Sequence, residues 1–260
     1  MMIFKKKLVT SFAIVAVLLP FCPDLNAQSN PKKPKLNVLF IISDDLRPEL
    51  GAYGVGGIKT PNIDKIAARG TRFDRAYAQY PVCNPSRSSF LTGRYPTETK
   101  VLNNNDYFRR IDPTSVTLPQ FFKNNGYVTL RAGKIFHGGI DDQVSWTEGG
   151  EPTDPNITER GNPNFRPTRP ANSDPAQAQA AGVNIADSGS DRIVVLEGDG
   201  ESHGDYRTAS RAIDYINRYK DSPFFMAVGL VKPHSAPTAP RKFFDLYDVN
   251  KIPLPVDFGT

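Results

Sequence analysis

The chain has 260 residues and a formal net charge of +5, from 32 basic and 27 acidic side chains. Loss of residues 1–27 would remove three lysines and one aspartate and leave +3, which is too small to indicate nucleic-acid or membrane binding. Hydrophobic residues make up only 39% of the chain, and 23 prolines with 20 glycines indicate many loops. The length fits one large domain or a piece of a bigger one.

The N-terminus has the features of an export signal. Lys5–Lys7 form a basic start, Leu8–Phe21 form an apolar run, and Ala27 is a small residue suited to cleavage. We therefore expect a signal peptide over 1–27 and a periplasmic or secreted mature domain over 28–260.

Two alternatives exist for this segment. A transmembrane anchor would need roughly 20 apolar residues, and the run here is shorter. A lipoprotein signal would place a small residue before Cys22, but Phe21 is bulky. We therefore expect no stable membrane anchor.

The first predicted elements lead to paired acidic residues. Leu36–Ile42 is a continuous apolar run, as expected for a strand buried on both faces of a sheet. Asp44 and Asp45 follow it. A helix capped by Thr60 is then expected over 61–70.

The next stretch contains an unusual cysteine. Phe73–Ala78 fits a short strand that leads to Cys83, the only cysteine left after signal removal. A lone cysteine in an oxidising compartment needs a specific role. Asn84 is a natural cap for a helix that ends at Gly93, so Cys83 would lie at the positive helix end with Arg87 about one turn on.

A second strand end carries basic groups. Thr117 is expected to cap a helix that ends at Gly126, and Tyr127–Ala132 fits the strand that follows. This strand leads to Lys134 and His137.

The rest of the chain begins with an irregular insertion at about 149–200, where large apolar residues are few. Asp205 is then expected to cap an amphipathic helix. The apolar face of that helix is expected to contain Ala209, Ala212, Ile213 and Ile216. Phe224–Val231 fits another buried strand, and Lys232 and His234 follow it.

Alternation of strands and helices predicts an α/β fold with a largely parallel sheet. Ligands of such sheets bind beyond the carboxyl ends of the strands. The three predicted strand ends carry the polar pairs Asp44 and Asp45, Lys134 and His137, and Lys232 and His234. His203 is assigned to the surface.

These groups together predict an oxyanion site. Paired carboxylates suit a divalent cation with oxygen ligands, although a solvated loop or a helix cap is the alternative for Asp44 and Asp45 taken alone. A nucleophile at Cys83 with cations around it would stabilise charge on a transferred group. At this level sulfate and phosphate cannot be distinguished.

A resemblance narrows the chemistry. CNPSR at 83–87, followed by LTGR at 91–94, resembles the maturation signature of type I sulfatases, in which the cysteine is oxidised to formylglycine. Within that family the flanking segments are similar to the iduronate-2-sulfatases. Those segments are NVLFIISDDLRPELGAYG, KTPNIDKIAARGTRFDRAYAQYPVCNPSRSSFLTGRYP, NNGYVTLRAGKIFHGG and FFMAVGLVKPH. The resemblance implies an alkaline-phosphatase-like fold, with a large, mostly parallel mixed sheet between helices.

The resemblance also implies a mechanism. Asp44, Asp45 and the residue derived from Cys83 would bind Ca²⁺. One hydroxyl of the hydrated formylglycine would attack sulfur, with Arg87 and the metal stabilising its deprotonated form. The second hydroxyl would then expel sulfate by reforming the aldehyde, which explains why a thiol or a serine would not serve.

Further residues receive roles from the same resemblance. Lys134 and His137 would hold the aldehyde hydrate and sulfate, and His234 would contact sulfate or assist the leaving group. Lys232 and Asp106 are further candidates for substrate binding. The implied partners are a sulfated carbohydrate, such as a 2-sulfated uronate, and a formylglycine-generating enzyme.

One departure from the family pattern affects these expectations. The family completes its metal site with a second acidic cluster and a further lysine, and nothing after His234 supplies them. The chain therefore resembles the N-terminal part of a sulfatase, and alone it is expected to bind calcium weakly and turn over little substrate.

Three rivals remain open. The chain could be a phosphonate or phosphate monoester hydrolase of the same superfamily, or an inactive chain that only binds sulfated glycan. A redox cysteine at a helix start is the third, and it leaves the acids and histidines unexplained.

Overall fold

A three-stranded parallel sheet lies at the centre of the fold. The computed structural model describes residues 34–153 and 193–252, so the predicted signal peptide and most of the irregular insertion lie outside the described residues. The sheet strands are β1 (Val38–Ser43), β2 (Val128–Gly133) and β4 (Phe224–Leu230), in the order β1-β4-β2. All three predicted strands are confirmed, and β4 is buried as predicted. The prediction that β1 is buried on both faces is wrong, because Leu39 and Ile41 on one face are 49% and 52% exposed.

The register brings the carboxyl ends of these strands to one edge. Ser43 pairs with Leu230, and Gly133 pairs with Gly229. A separate pair of short parallel strands is formed by β3 (Val194–Leu196) and β5 (Thr238–Pro240).

Seven α-helices and three short 3-10 helices complete the described ranges. The 3-10 helices are Gly51–Tyr53, Gln143–Ser145 and Val249–Lys251. The α-helices are α1 (Pro61–Ala67), α2 (Cys83–Thr92), α3 (Pro96–Thr99), α4 (Phe108–Ile111), α5 (Leu118–Asn124), α6 (Gly204–Tyr219) and α7 (Arg241–Phe244). Within 34–153 and 193–252, no helix is long and apolar enough to cross a membrane.

The sheet has an apolar core on each face. On one face Phe225 packs with Leu91 of α2 and with an aromatic group that includes Phe108, Phe136 and Trp146. On the other face α6 covers β2 and β4. The members of this second core are Leu130, Ala132, Ala212, Tyr215, Phe224, Met226 and Val228. Coverage on both faces explains why β4 is an unbroken apolar run.

The predicted apolar face of α6 is partly wrong. Ile213 and Ile216 are 60% and 40% exposed, whereas Thr208, Ala212 and Tyr215 are buried. The three buried residues are spaced four and three apart and so share one face of the helix. The large Tyr215 ring, rather than the isoleucines, fills the space above the sheet.

Two other local predictions need correction, and a third is confirmed. Phe73–Ala78 forms no strand, and Phe73 is 69% exposed with no neighbouring strand to pair with. Thr60 precedes α1 but does not cap its backbone, because its hydroxyl accepts from the Gly51 N–H and donates to Asp64. Thr117 does cap α5 as predicted, accepting from the Gln120 N–H.

The cap of α6 also differs from the prediction. The N-cap is His203, whose ring Nδ1 accepts from the Asp205 N–H, and His203 is half-buried rather than free on the surface. Burial lowers the pKa of His203 and thus favours the neutral ring that can accept this bond. Asp205 is thereby released for a contact near the candidate site.

Candidate functional site

The end of β1 supplies the acidic residues. Asp44 follows the last strand residue, and its N–H donates to the carbonyl of Leu230 at the end of β4. Its side chain is only 5% exposed. Asp45 turns the chain with a φ of +59°, a left-handed conformation that costs energy for a non-glycine residue. This turn separates one buried carboxylate from one that is 56% exposed.

Two cations converge on the Asp44 carboxylate. Arg87 Nη2 donates to Oδ1 at 2.7 Å, and Lys134 Nζ donates to Oδ2. Burial by itself raises the pKa of Asp44, but the hydrogen bonds from Lys134 and Arg87 outweigh it and lower the pKa below its ordinary value. Asp44 is therefore held as an anion.

Arg87 ties three elements together. Its side chain is 5% exposed, and Nη1 donates to the carbonyls of Lys134 and Ile135 at 3.0 and 2.8 Å. Thus one side chain from α2 binds the end of β1 through Asp44 and the segment after β2 through two carbonyls. The fork of the guanidinium suits this arrangement, which an ammonium group could not reproduce.

Cys83 is the first residue of α2. Its Sγ lies 3.7 Å from Asp44 Oδ1. Burial raises the pKa of the thiol, and the Asp44 and Asp45 charges raise it further against the opposing effect of Lys134 and Arg87. A redox-active cysteine needs a lowered pKa, so this environment argues against that rival.

Asn84 does not cap α2 as predicted. It is the second helical residue, is 1% exposed, and donates through Nδ2 to the carbonyls of Asn103 and Asp106. Val82 stands at the cap position and has no side chain that could cap, whereas the Asn84 N–H donates to Asn104 Oδ1 at 3.0 Å. The prediction from residue type failed because Asn104, a residue 20 positions further along the chain, supplies the capping hydrogen bond.

His234 lies beside the acids. Its Nε2 is 3.7 Å from Asp45 Oδ2, and its Nδ1 is 2.8 Å from the Ser235 carbonyl. When Nδ1 carries the proton and donates to that carbonyl, Nε2 has a lone pair that faces the acids. A carboxylate oxygen of Asp44, Cys83 Sγ and a ring nitrogen of His234 lie within 4.8 Å of one another.

Two polar residues that the sequence analysis did not assign to the site hold the loop that carries His234. Asp205 accepts from the N–H groups of Val231 and Lys232, both at 2.8 Å. Ser43 Oγ donates to the Lys232 carbonyl at 2.5 Å. The sequence contained no signal for either contact, because each joins residues far apart in the chain.

Three predicted site residues have other surroundings. Lys232 Nζ donates to the carbonyls of His234 and Ala236, and Asp106 accepts from the Leu102 N–H. His137 is half-buried in the turn after β2. None of the three lines the cavity beside Cys83, and neither do the predicted site residues Lys134 and His234. Their roles with substrate therefore stay predictions.

That cavity has a volume of about 610 Å³. Its polar wall consists of Ser43, Asp44, Asp45, Cys83, Ser86, Arg87 and Asn104. Its apolar wall includes Ile42, Leu46, Tyr80, Val82 and Phe90. A concave space with convergent charges and an apolar side is typical of a site for a small ligand or for one unit of a larger one.

The donor atoms grouped around Asp44 could hold a cation in two ways. Asp44, Cys83 and His234 offer oxygen, sulfur and nitrogen, a set that suits Zn²⁺. If residue 83 carries hydroxyls instead of a thiol and Asp45 adds its carboxylate, most donors are oxygens, which suit Ca²⁺. The residues therefore fit Ca²⁺ best when Cys83 is modified.

Comparisons with known proteins agree with the sequence resemblance. The profile of the family described as Sulfatase matches residues 36–255. Iduronate 2-sulfatase of Mus musculus is 38% identical over 250 residues, which are 91% of this chain and 42% of that protein. The Homo sapiens iduronate 2-sulfatase is 36% identical over 238 residues, 88% of this chain and 41% of that protein. The chain thus spans less than half the length of these relatives.

Solved structures support the predicted fold class. The phosphonate monoester hydrolase of Agrobacterium radiobacter is similar with a TM-score of 0.59 at 20% identity, over 85% of this chain and 45% of that chain. The phosphonate monoester hydrolase SpPMH from Silicibacter pomeroyi is similar with a TM-score of 0.58 at 21% identity, over 85% of this chain and 46% of that chain. At this identity the likeness concerns the fold alone, a mostly parallel sheet between helices of the alkaline-phosphatase type.

Proposed function

The chain belongs to the sulfatase family, and from this premise we propose that it supplies the nucleophile and the anion-holding cations for hydrolysis of sulfate esters. The observation that carries the proposal is the junction at Asp44. There Cys83, at the start of α2, meets Arg87 and Lys134 around one buried carboxylate. This arrangement supports the proposal, because a nucleophile formed at residue 83 would lie beside two fixed cations, as stabilisation of an oxyanion requires.

The charges of the surrounding side chains support the proposal of a divalent cation in this site. Asp44 and Asp45 carry two negative charges, and Arg87 and Lys134 carry two positive ones, so the four side chains cancel. A sulfate monoester would be attracted only when a divalent cation adds its own charge. When bound, Ca²⁺ would supply that charge and would favour an ionised oxygen at residue 83. Asp44, Asp45 and residue 83 would hold it.

The remaining groups would act on the sulfate itself. Three of the five N–H groups of Arg87 are bonded to Asp44 and two carbonyls, and the other two make no bond to a described residue. These two would donate to sulfate oxygens. His234 Nε2 would accept or deliver a proton at the ester oxygen. His137 would contact the sulfate or the group at residue 83.

Formylglycine at position 83 would supply, as its hydrate, one hydroxyl for attack and a second for release of sulfate. The residues fit this group: Cys83 is half-buried, lines the cavity and lies next to Asp44. We therefore propose that a formylglycine-generating enzyme modifies this cysteine in a periplasmic or secreted protein.

Mass spectrometry of the tryptic peptide around residue 83 tests the modification. The peptide from protein co-produced with a maturation enzyme is expected to be about 18 Da lighter than the thiol form, because the thiol becomes an aldehyde. Cys83→Ala is the control and should show only its calculated mass. An intact thiol throughout would instead support the glycan-binding alternative. Faster turnover of aryl phosphates than of aryl sulfates would favour the phosphatase rival.

Calcium titration tests the metal site. Asp45→Asn removes one charge but keeps an oxygen, and we expect the calcium dissociation constant of the matured chain to rise about tenfold, since affinity depends on ligand charge. Glu49→Gln is the matched control, because Glu49 pairs with exposed Arg47 outside the cavity. Isothermal titration calorimetry measures both, and an unchanged constant in Asp45→Asn would remove Asp45 from the ligand set.

The proposed substrate is a sulfated carbohydrate. The relatives named iduronate 2-sulfatase suggest a sulfated uronate, and a cavity of about 610 Å³ is large enough for one sugar unit.

A further inference from the structure

The start of α2 depends on a residue outside the helix. The first N–H groups of a helix have no partner within it and need an acceptor. The side chain of Val82 at the cap position offers none, and Asn104 Oδ1 accepts from the Asn84 N–H at 3.0 Å instead. Asn104 therefore caps the helix turn whose first residue is Cys83.

The loop that carries Asn104 is fastened to the same turn. Asn84 Nδ2 donates to the carbonyls of Asn103 and Asp106 at 2.9 and 2.7 Å. Within the loop, the Asn105 N–H donates to Asn103 Oδ1, and the Leu102 N–H donates to Asp106. The loop and the helix start thus hold each other through reciprocal bonds, and Asn104 has a fixed position.

The side-chain nitrogen of Asn104, unlike its oxygen, takes no part in holding the start of α2. Because Oδ1 accepts from the Asn84 N–H, the other atom must be Nδ2, which makes no hydrogen bond to any residue within the described ranges. Asn104 also lines the cavity, together with Cys83 and Arg87. Two N–H donors of one side chain are therefore available beside the proposed nucleophile.

We propose that Asn104 has two roles in this site: its Oδ1 positions residue 83 by capping α2, and its Nδ2 donates to an oxygen of the bound sulfate group. The second role rests on the proposed function, whereas the cap does not. A neutral donor suits this place, because it can stabilise an oxyanion without adding to the charges of Arg87 and Lys134. The mechanism above does not otherwise use this residue.

Three variants separate the two roles. Asn104→Asp keeps an oxygen that can cap but loses the donor, and Asn104→Ala loses both. Asn103→Asp is the matched control, since it adds the same charge one residue away on an exposed side chain and keeps an acceptor for the Asn105 N–H. Amide exchange at Asn84 reports the cap, and titration of the matured chain with inorganic sulfate in the presence of Ca²⁺ reports the contact.

We expect exchange at Asn84 to speed up about tenfold in Asn104→Ala and to stay near the original rate in Asn104→Asp. Sulfate binding should weaken about tenfold in both Asn104 variants and remain unchanged in Asn103→Asp. A purely structural role would instead be rescued by aspartate in both measurements.

The outcomes distinguish the two roles from the proposed function. An unchanged rate of amide exchange at Asn84 in Asn104→Ala would refute the claim that Asn104 caps α2. Sulfate binding that Asn104→Ala retains, or that Asn103→Asp loses equally, would overturn the contact. If the original chain binds no sulfate, both the proposed function and the contact between Asn104 Nδ2 and sulfate are refuted. The exchange rate at Asn84 would still show whether Asn104 Oδ1 caps α2.

Discussion

Replacement of Arg87 by alanine is expected to lower the free energy of unfolding by about 3–5 kcal/mol, the range for breaking a buried ion pair. The Asp44 carboxylate, 5% exposed, would keep Lys134 as its only cationic partner. The carbonyls of Lys134 and Ile135 would lose their donor as well. Chemical denaturation of the variant and the original chain under identical conditions measures the difference.

The matched control is Arg94→Ala. Arg94 pairs with Asp112 at 2.6 Å, but both side chains are substantially exposed, and the unfolding midpoint should hardly change. Arg87→Lys should rescue only part of the loss, because an ammonium group cannot serve a carboxylate and two carbonyls in the same geometry. Equal midpoints for the Arg87 and Arg94 alanine variants would refute the proposed importance of the junction at Asp44.

Replacement of Gly229 by alanine is expected to cost more than about 3 kcal/mol, as overpacking against backbone does when nothing can move aside. A Cβ at this position would lie 1.8 Å from the carbonyl oxygen of Lys134. The ends of β2 and β4 would have to separate, and Lys134 would move away from Asp44. We expect a large fall in the thermal midpoint, or no folded protein at all.

Gly138→Ala is the control for this variant. Gly138 has nothing within 4 Å of an added Cβ and lies on the exposed turn after β2. Its thermal midpoint should match that of the original chain. A stable Gly229→Ala chain with an unchanged midpoint would show that the two strand ends are not in the close contact described here.

The sequence predicted the sheet and the acidic part of the site for a simple reason. Continuous apolar runs indicate strands covered on both faces, and the carboxyl ends of parallel strands meet at one edge. That rule by itself anticipated that Asp44, Lys134 and His234 would gather there. It did not anticipate Lys232, which follows the same strand as His234 but turns its amine into its own loop.

The errors arise where a distant partner overrides a local preference. Asn84 is a favourable cap by its type and position, yet its side chain holds a loop and Asn104 supplies the cap. Asp205 likewise follows the rule for a helix start but binds the backbone after β4. Phe73–Ala78 has strand-forming residues, but a strand exists only when another strand pairs with it.

The burial of the segment CNPSR bears on whether residue 83 can be modified before or only after the chain folds. Asn84, Pro85 and Arg87 are buried once α2 has packed against the sheet. If Cys83 is modified as proposed, an enzyme that recognises these side chains would have to reach them before folding is complete. Under the proposed function, the interval between synthesis and folding would limit how many molecules carry a modified residue 83, so a faster-folding variant would be less completely modified.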